Sequence, residues 1–110
     1  MPTDKVILLN ALVTSSRIPM VLKTIPISLE EVKELIKNKD IVSYIGHLAT
    51  ARLLSQLLLV DIPVNRAMYS PEPGDVAIVA RLKKRLDKPE DVENISINDI
   101  EFIVVEYYHV

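Results

Sequence analysis

The stretch of sequence that decides the fold is IVSYIGHLATARLLSQLLL, residues 41–59. Its second half repeats apolar side chains at the i, i+3, i+4, i+7 spacing of an amphipathic helix, with Ala51, Leu54 and Leu58 on one face. Residues 41–45 form a short, largely apolar run that is typical of a strand. The sequence therefore predicts a strand that leads directly into a helix, with Gly46 and His47 at the junction.

This junction is a candidate anion site. Gly46 can act as the helix N-cap and let a ligand come close to the backbone, and His47 then opens the helix. The first amides of a helix lack intrahelical partners and together carry about half a positive charge, so a phosphate is stabilised there. A histidine at a helix start is nevertheless more often a hydrogen-bonded structural residue than a catalyst. Both interpretations are open at this point.

Composition limits the class of protein. The 110 residues, 49% of them hydrophobic, indicate a single domain, residues 1–110, with a core of its own. Lys and Arg number 13 against 15 Asp and Glu, so the chain lacks the positive field of a duplex-binding protein and any anionic partner is small. The chain contains no cysteine, which excludes disulfides and thiol catalysis. Since its apolar runs fit neither a signal peptide nor a membrane span, we expect a cytoplasmic protein.

The remaining patterns predict an α/β fold. A capping box from Ser28 to Glu31 begins a second amphipathic helix. Apolar or alternating runs predict strands at residues 5–11, 20–25, 41–45, 64–69, 76–82 and 102–108. The order β-β-α-β-α-β-β-(short helix)-β is interpreted as a mixed sheet of about five strands covered by helices. The sequence has no P-loop, dinucleotide fingerprint or metal-binding histidine spacing.

Two further polar segments are candidate ligand contacts. A hydroxyl-rich loop that includes Thr14 follows the first strand, where it can bind polar ligand groups or be an ordinary surface loop. If the strand that begins at residue 76 continues far enough, its period of two places Arg81, Lys83 and Arg85 on one face. Those cations can hold a phosphodiester or protect an edge strand against aggregation.

Four groups of residues, in order along nearly the whole chain, resemble the type III anti-CRISPR ring nucleases of archaeal and bacterial viruses. Chromosomal CRISPR-associated proteins belong to the same family. The groups are VILLNA at residues 6–11, Ile45-Gly46-His47 with Thr50, Asn65-Arg66, and Arg85-Leu86.

The resemblance implies a homodimeric enzyme that binds cyclic tetra-adenylate across its two-fold axis, without metal or cofactor. The implied product is di-adenylate with a 2′,3′-cyclic phosphate. From the balanced charge and the short apolar runs we expect neither duplex DNA nor a membrane as a partner. By the same resemblance, His47 is the general acid on the leaving 5′ oxygen and Arg85 steadies the phosphate. The implied ligand-binding residues are Asn10, Ala11, Thr14, Gly46, Thr50 and Arg66.

The sequence departs from the family pattern at three places. Lys88 stands where the family commonly has a glutamate, Leu48-Ala49 replaces Asp-Ser, and Val13 replaces a ligand-contacting serine. From the resemblance, the leading hypothesis is a ring nuclease. The departures leave open an alternative, a non-catalytic module that sequesters a cyclic oligoadenylate. A third interpretation is an interaction protein without a nucleotide ligand.

Overall fold

The computed structural model describes residues 5–83 and 95–110, and within these ranges the chain forms a five-stranded sheet and two α-helices. The strands are β1 (Lys5–Leu9), β2 (Met20–Ile27), β3 (Asp40–Ser43), β4 (Val76–Leu82) and β5 (Ile100–His109). The helices are α1 (Leu29–Ile36) and α2 (Leu48–Leu58), and a 3-10 turn at Ile97–Asp99 precedes β5. The predicted α/β class, with a mixed sheet of about five strands and covering helices, is confirmed.

Strand β1 organises the sheet, whose order is β2-β5-β4-β1-β3. It pairs in parallel with β3 on one side and with β4 on the other, whereas β5 runs antiparallel to β4 and β2. The side chains from Val6 to Leu9 are all buried, as expected for an apolar run in a strand covered on both faces. Because β1, β3 and β4 are parallel, their carboxyl ends meet at one edge of the sheet. The strands that follow β1 in the chain lie on both of its sides, with β3 on one side and β4, β5 and β2 on the other. This edge is where open α/β sheets bind their ligands.

Both helices pack on one face of the sheet. The predicted capping box is confirmed: the Glu31 amide donates to Ser28 Oγ at 3.2 Å, and the Ser28 amide donates to Glu31 Oε1 at 3.0 Å. Helix α1 buries Val32 and Ile36 against this face. Helix α2 and β1 provide nearly half of the buried residues of the same cluster, namely Val6, Leu8, Ala49, Ala51, Leu53, Leu54 and Leu58. In the described part of the chain, neither helix has the length and apolar character needed to cross a membrane.

The opposite face of the sheet carries a second cluster that contains three tyrosines. The ring centroids of Tyr44 and Tyr69 are 5.2 Å apart, and those of Tyr69 and Tyr107 are 6.0 Å apart. Aliphatic residues of β1, β4 and β5 surround these rings, namely Ile7, Leu9, Ala77, Val79, Ile103 and Val105. The first of the three rings belongs to the loop that follows β3, so the cluster extends to the carboxyl edge of the parallel strands.

The predicted strand at residues 64–69 is wrong, since no strand forms there. Its polar groups bond instead to the end of β3 and the loop that follows: Asn65 Nδ2 donates to the Ser43 carbonyl at 3.0 Å, and the Asn65 amide donates to the Ile45 carbonyl at 2.9 Å. These irregular contacts replace a strand ladder.

Several predicted boundaries also move. The first strand ends at Leu9 instead of residue 11, the strand predicted at 41–45 ends at Ser43, and the last strand begins at Ile100. Strand β2 continues to Ile27 through Pro26, which is tolerated because β2 lies at the edge of the sheet and needs no ladder donor on its outer side.

Candidate functional site

A cleft of about 590 Å³ opens at the carboxyl edge of the parallel strands, where β1 ends at Leu9. The loop at residues 10–17 forms one side of it, and Tyr44 and residues 67–70 form the other. Its volume is that of sites that bind small molecules. Position and size therefore make this cleft the candidate ligand site.

The tyrosine cluster supports both sides of the cleft. Tyr69 donates a hydrogen bond to Asp75 Oδ2 at 2.6 Å, and burial together with this bond raises the pKa of Tyr69 far above its ordinary value. The hydroxyl therefore keeps its proton and its partner throughout the neutral range. Tyr107 donates to the Val13 carbonyl at 2.8 Å, which ties the loop after β1 to β5. The cleft thus rests on Tyr69 and Tyr107, two buried side chains whose hydroxyls are hydrogen-bonded.

The junction between β3 and α2 lies at the same edge of the sheet. His47, not Gly46, is the N-cap of α2, so the predicted position of the cap is wrong by one residue. His47 has an extended backbone (φ −123°, ψ 123°), and its carbonyl accepts the first helical hydrogen bond from the Ala51 amide at 3.0 Å. Its side chain is exposed and makes no capping hydrogen bond. The imidazole is therefore accessible to a ligand.

Arg66 lies directly against this junction. Its Nε donates to the Gly46 carbonyl at 3.2 Å, and its Cγ lies 3.6 Å from the place where a Cβ on Gly46 would be. A guanidinium has five N–H donors, and this bond uses one of them. Arg66 is exposed, so its charge lies at the surface beside the start of α2.

The structure divides the predicted ligand-binding residues into two neighbouring groups. Asn10, Ala11 and Thr14 line the cleft. Gly46, His47 and Arg66 do not line it, but the nearby Tyr44 and Ala67 do, so the junction adjoins the cleft through its own chain neighbours.

Two predicted site residues are placed differently. Thr50 lies in the first turn of α2 and is only 5% exposed, which leaves little of its surface for a ligand. Arg85 lies outside the described residues, as does Lys88.

Arg81 has a partner within the sheet. Its guanidinium lies 3.1 Å from the carboxylate of Glu101, the residue directly opposite in β5. Strand β4 ends at Leu82, before Lys83, and Arg85 lies outside the described residues. Arg81 thus forms an exposed cross-strand ion pair, as one expects of a charged strand surface.

Some cleft residues were not predicted from sequence. Arg17, Met68 and Tyr69 line it, and the Met68 side chain is 93% exposed. Sequence position gave no indication for Met68, because it lies in the segment predicted to be a strand. The exposure of Met68 is a property of the fold, so no local pattern in the sequence identifies this wall of the cleft.

A mixed sheet with a cleft at the carboxyl edge of its parallel strands, beside a helix that begins at an accessible histidine, defines a small α/β protein with a candidate small-molecule site. The family described as STIV B116-like matches residues 6–108. The chain belongs to this family.

Relatives occur in archaeal viruses and in a bacterium. Protein 26 of Sulfolobus islandicus filamentous virus is 37% identical over 89 residues, which cover 76% of this chain and 75% of the relative. ORF117 of Acidianus two-tailed virus is 38% identical over 86 residues, covering 76% of this chain and 72% of the relative. YddF of Bacillus subtilis is 35% identical over 102 residues, covering 91% and 90%.

The fold is also similar to that of a solved structure. B116 of Sulfolobus turreted icosahedral virus superposes with a TM-score of 0.74 over 96% of this chain and 99% of that protein. Sequence identity is 20%, so this likeness shows the shared fold alone.

Proposed function

We propose that this protein is a ring nuclease that binds cyclic tetra-adenylate and cleaves it to di-adenylate carrying a 2′,3′-cyclic phosphate. This activity would switch off type III CRISPR signalling. The observation that carries the proposal is the accessible imidazole of His47 at the start of α2, with no capping bond of its own and with Arg66 against the preceding carbonyl. The identity of the proposed ligand comes from the resemblance of the sequence to ring nucleases.

The proposed reaction is a transesterification within the substrate. The ribose 2′ oxygen bonds to the adjacent phosphorus, the bond from phosphorus to the 5′ oxygen breaks, and His47 as imidazolium gives its proton to that 5′ oxygen. The proton of the 2′-hydroxyl passes to solvent. Because the nucleophile belongs to the ligand, the step calls for no activated water. A well-placed general acid contributes about 10²–10⁴-fold to such a rate.

Helix α2 supports the binding of a phosphate beside His47. The helix has 11 residues and no acidic side chain in its first turn, so no carboxylate of the helix offsets the positive N-terminal end. Arg66 adds a full positive charge at the same place. In the proposal, Arg85 provides a second guanidinium that stabilises the phosphate as negative charge develops in the transition state.

The size of the cleft supports a site shared between two copies. About 590 Å³ suits a drug-sized ligand, whereas a ring of four nucleotides is larger than that. A two-fold homodimer would present two clefts and two His47 side chains to opposite linkages of a ring that has the same symmetry. Cutting both linkages gives two identical di-adenylates, which is the product proposed.

The proposal is tested by incubating purified protein with cyclic tetra-adenylate in EDTA and analysing the products by chromatography and mass spectrometry. Light scattering on the same sample gives the oligomeric state. Release of di-adenylate with a cyclic phosphate is the expected result. An intact ring that stays bound would instead support the sequestering module, which the lysine at position 88 favours. An intact ring without binding would contradict both proposals.

A further inference from the structure

The junction that carries His47 is held in place chiefly by residues that belong to neither β3 nor α2. Residues 44–46 lie between the end of β3 and the N-cap His47, so their carbonyls need donors from outside β3 and α2. The Ile45 carbonyl accepts from the Asn65 amide at 2.9 Å, and the Gly46 carbonyl accepts from Arg66 Nε at 3.2 Å. One dipeptide, 65–66, therefore supplies both donors.

The side chain of Asn65 adds two bonds in opposite directions. Its Nδ2 donates to the Ser43 carbonyl at 3.0 Å, at the last residue of β3. Its Oδ1 accepts from the Ala67 amide at 3.0 Å, and Ala67 lines the cleft. A single carboxamide thus connects the strand that leads to His47 with a wall of the ligand site.

We infer that Asn65 is a positioning residue of this site, which fixes the His47 junction relative to the cleft through its bonds to Ser43, Ile45 and Ala67. The inference rests on the proposed function for its link to catalysis. Asn65 itself lines no part of the cleft, so it acts through the groups that it holds.

The chemistry of the position explains why asparagine is required. The carboxamide must donate on one side and accept on the other, at the reach of a two-carbon side chain. Aspartate has the same shape and keeps the acceptor for Ala67, but it loses the donor and places a carboxylate oxygen against the Ser43 carbonyl. Alanine loses both bonds. The two substitutions therefore separate the bond to β3 from the bond to the cleft wall.

Ser55→Ala provides a matched control. Ser55 Oγ donates to the Ala51 carbonyl at 2.8 Å and accepts from the Ile62 amide at 2.9 Å. The bond to Ile62 thus ties the other end of the same loop to α2, and the bond to Ala51 lies within the helix. Its loss should lower thermal stability about as much as Asn65→Ala does without moving the His47 junction.

The experiment measures single-turnover cleavage of cyclic tetra-adenylate and, separately, the dissociation constant of a ring whose 2′ oxygens are methylated and cannot attack. For Asn65→Ala and Asn65→Asp we expect the cleavage rate to fall about 10- to 100-fold, because a displacement near 1 Å of a catalytic group has this effect. The dissociation constant should change by less than about threefold, since the binding groups remain. Ser55→Ala should cleave at the parent rate.

Two outcomes would overturn the inference. The first is cleavage by Asn65→Asp at the rate of the parent protein. The second is a loss of cleavage rate in Ser55→Ala as large as that in Asn65→Ala, which would mean that Asn65 affects the rate only through protein stability. If the parent protein does not cleave the ring, the proposed function fails and amide hydrogen exchange decides the inference instead. Faster exchange at residues 44–51 in Asn65→Ala than in Ser55→Ala supports it, and equal exchange refutes it.

Discussion

Tyr107 donates a hydrogen bond from its hydroxyl to the carbonyl of Val13 at 2.8 Å, although the two residues lie 94 positions apart in the chain. The tyrosine is buried near the end of β5, and Val13 belongs to the loop that follows β1 and lines the cleft. One side of the candidate ligand site is therefore fixed by the last strand of the sheet.

Replacing Tyr107 by phenylalanine should lower the free energy of unfolding by about 1 kcal/mol, because the ring still packs but the bond to Val13 is lost. Urea unfolding measures this change, and we expect cyclic tetra-adenylate to bind several-fold more weakly because its loop is less well ordered. Tyr108→Phe is the control. Because Tyr108 is 46% exposed, removal of its hydroxyl should change the free energy of unfolding by less than about 0.5 kcal/mol. Equal effects of the two substitutions would contradict the role given to the Val13 bond.

Tyr69 should make the protein less stable in alkali. Burial and the hydrogen bond to Asp75 raise the pKa of Tyr69 above its ordinary value of 10.0. Above that pH the unfolded tyrosine loses its proton while the folded one keeps it, so the unfolded state binds fewer protons. The free energy of unfolding should then be insensitive to Tyr69 below about pH 10 and fall by up to about 1.4 kcal/mol per pH unit above it. Urea unfolding across this range should show a shallower fall for Tyr69→Phe, and parallel curves would refute the assignment.

How far the sequence predicts this molecule depends on the range of the interactions. The capping box of Ser28 and Glu31 is local, and the apolar run at β1 reports burial on both faces, so both were predicted correctly. Residues 64–69 alternate like a strand, yet Asn65 bonds to the loop after β3, about 20 positions earlier. No local pattern reveals such a partner.

The candidate site shows the same limit. His47 was identified because the helix and the preceding glycine are neighbours in sequence. Tyr44 and Tyr69 come together only through the order of the strands, and no spacing of residues indicates that they share a cleft. The family resemblance pointed to the loop residues of the cleft, but it could not supply the wall that faces them.

Leu59 is a site where stability should increase. It caps the C-terminus of α2 in the left-handed conformation (φ 59°, ψ 34°), and its side chain is 79% exposed. Glycine adopts this backbone without the steric cost of a Cβ, so Leu59→Gly should raise the free energy of unfolding by about 0.5–1 kcal/mol. Asn38→Gly, at a φ of 61°, is the control and should change little, because asparagine already tolerates this region. A loss of stability in Leu59→Gly would contradict the prediction and show that the leucine is covered in solution.

Gly46→Ala separates the needs of the fold from those of the ligand. A Cβ on Gly46 would lie 3.6 Å from Arg66 Cγ, an ordinary contact, so we expect the free energy of unfolding to change by less than about 0.5 kcal/mol. If a phosphate approaches the backbone here as proposed, the methyl group occupies its space, and affinity for the ring should fall about tenfold. Titration calorimetry and urea unfolding on the same preparation test both expectations. Unchanged affinity would mean that the ligand does not reach this backbone.

His47→Ala is the substitution that tests the chemistry. Loss of the general acid should slow single-turnover cleavage by about 10²–10⁴-fold and leave affinity for the methylated ring nearly unchanged, since Arg66 and the first amides of α2 remain. The exposed His109, near the end of β5, provides the control, and His109→Ala should cleave at the parent rate.

A substrate with sulfur in place of the bridging 5′ oxygen then distinguishes proton donation from any other role of His47. A thiolate leaves without being protonated, so this ring should be cleaved at similar rates by the parent and by His47→Ala. If His47→Ala is slower than the parent by the same factor on both substrates, His47 does not protonate the leaving group. The imidazole would then act on the phosphate itself, as a charge beside the positive end of α2 and Arg66, and the general acid would have to be sought elsewhere in the chain.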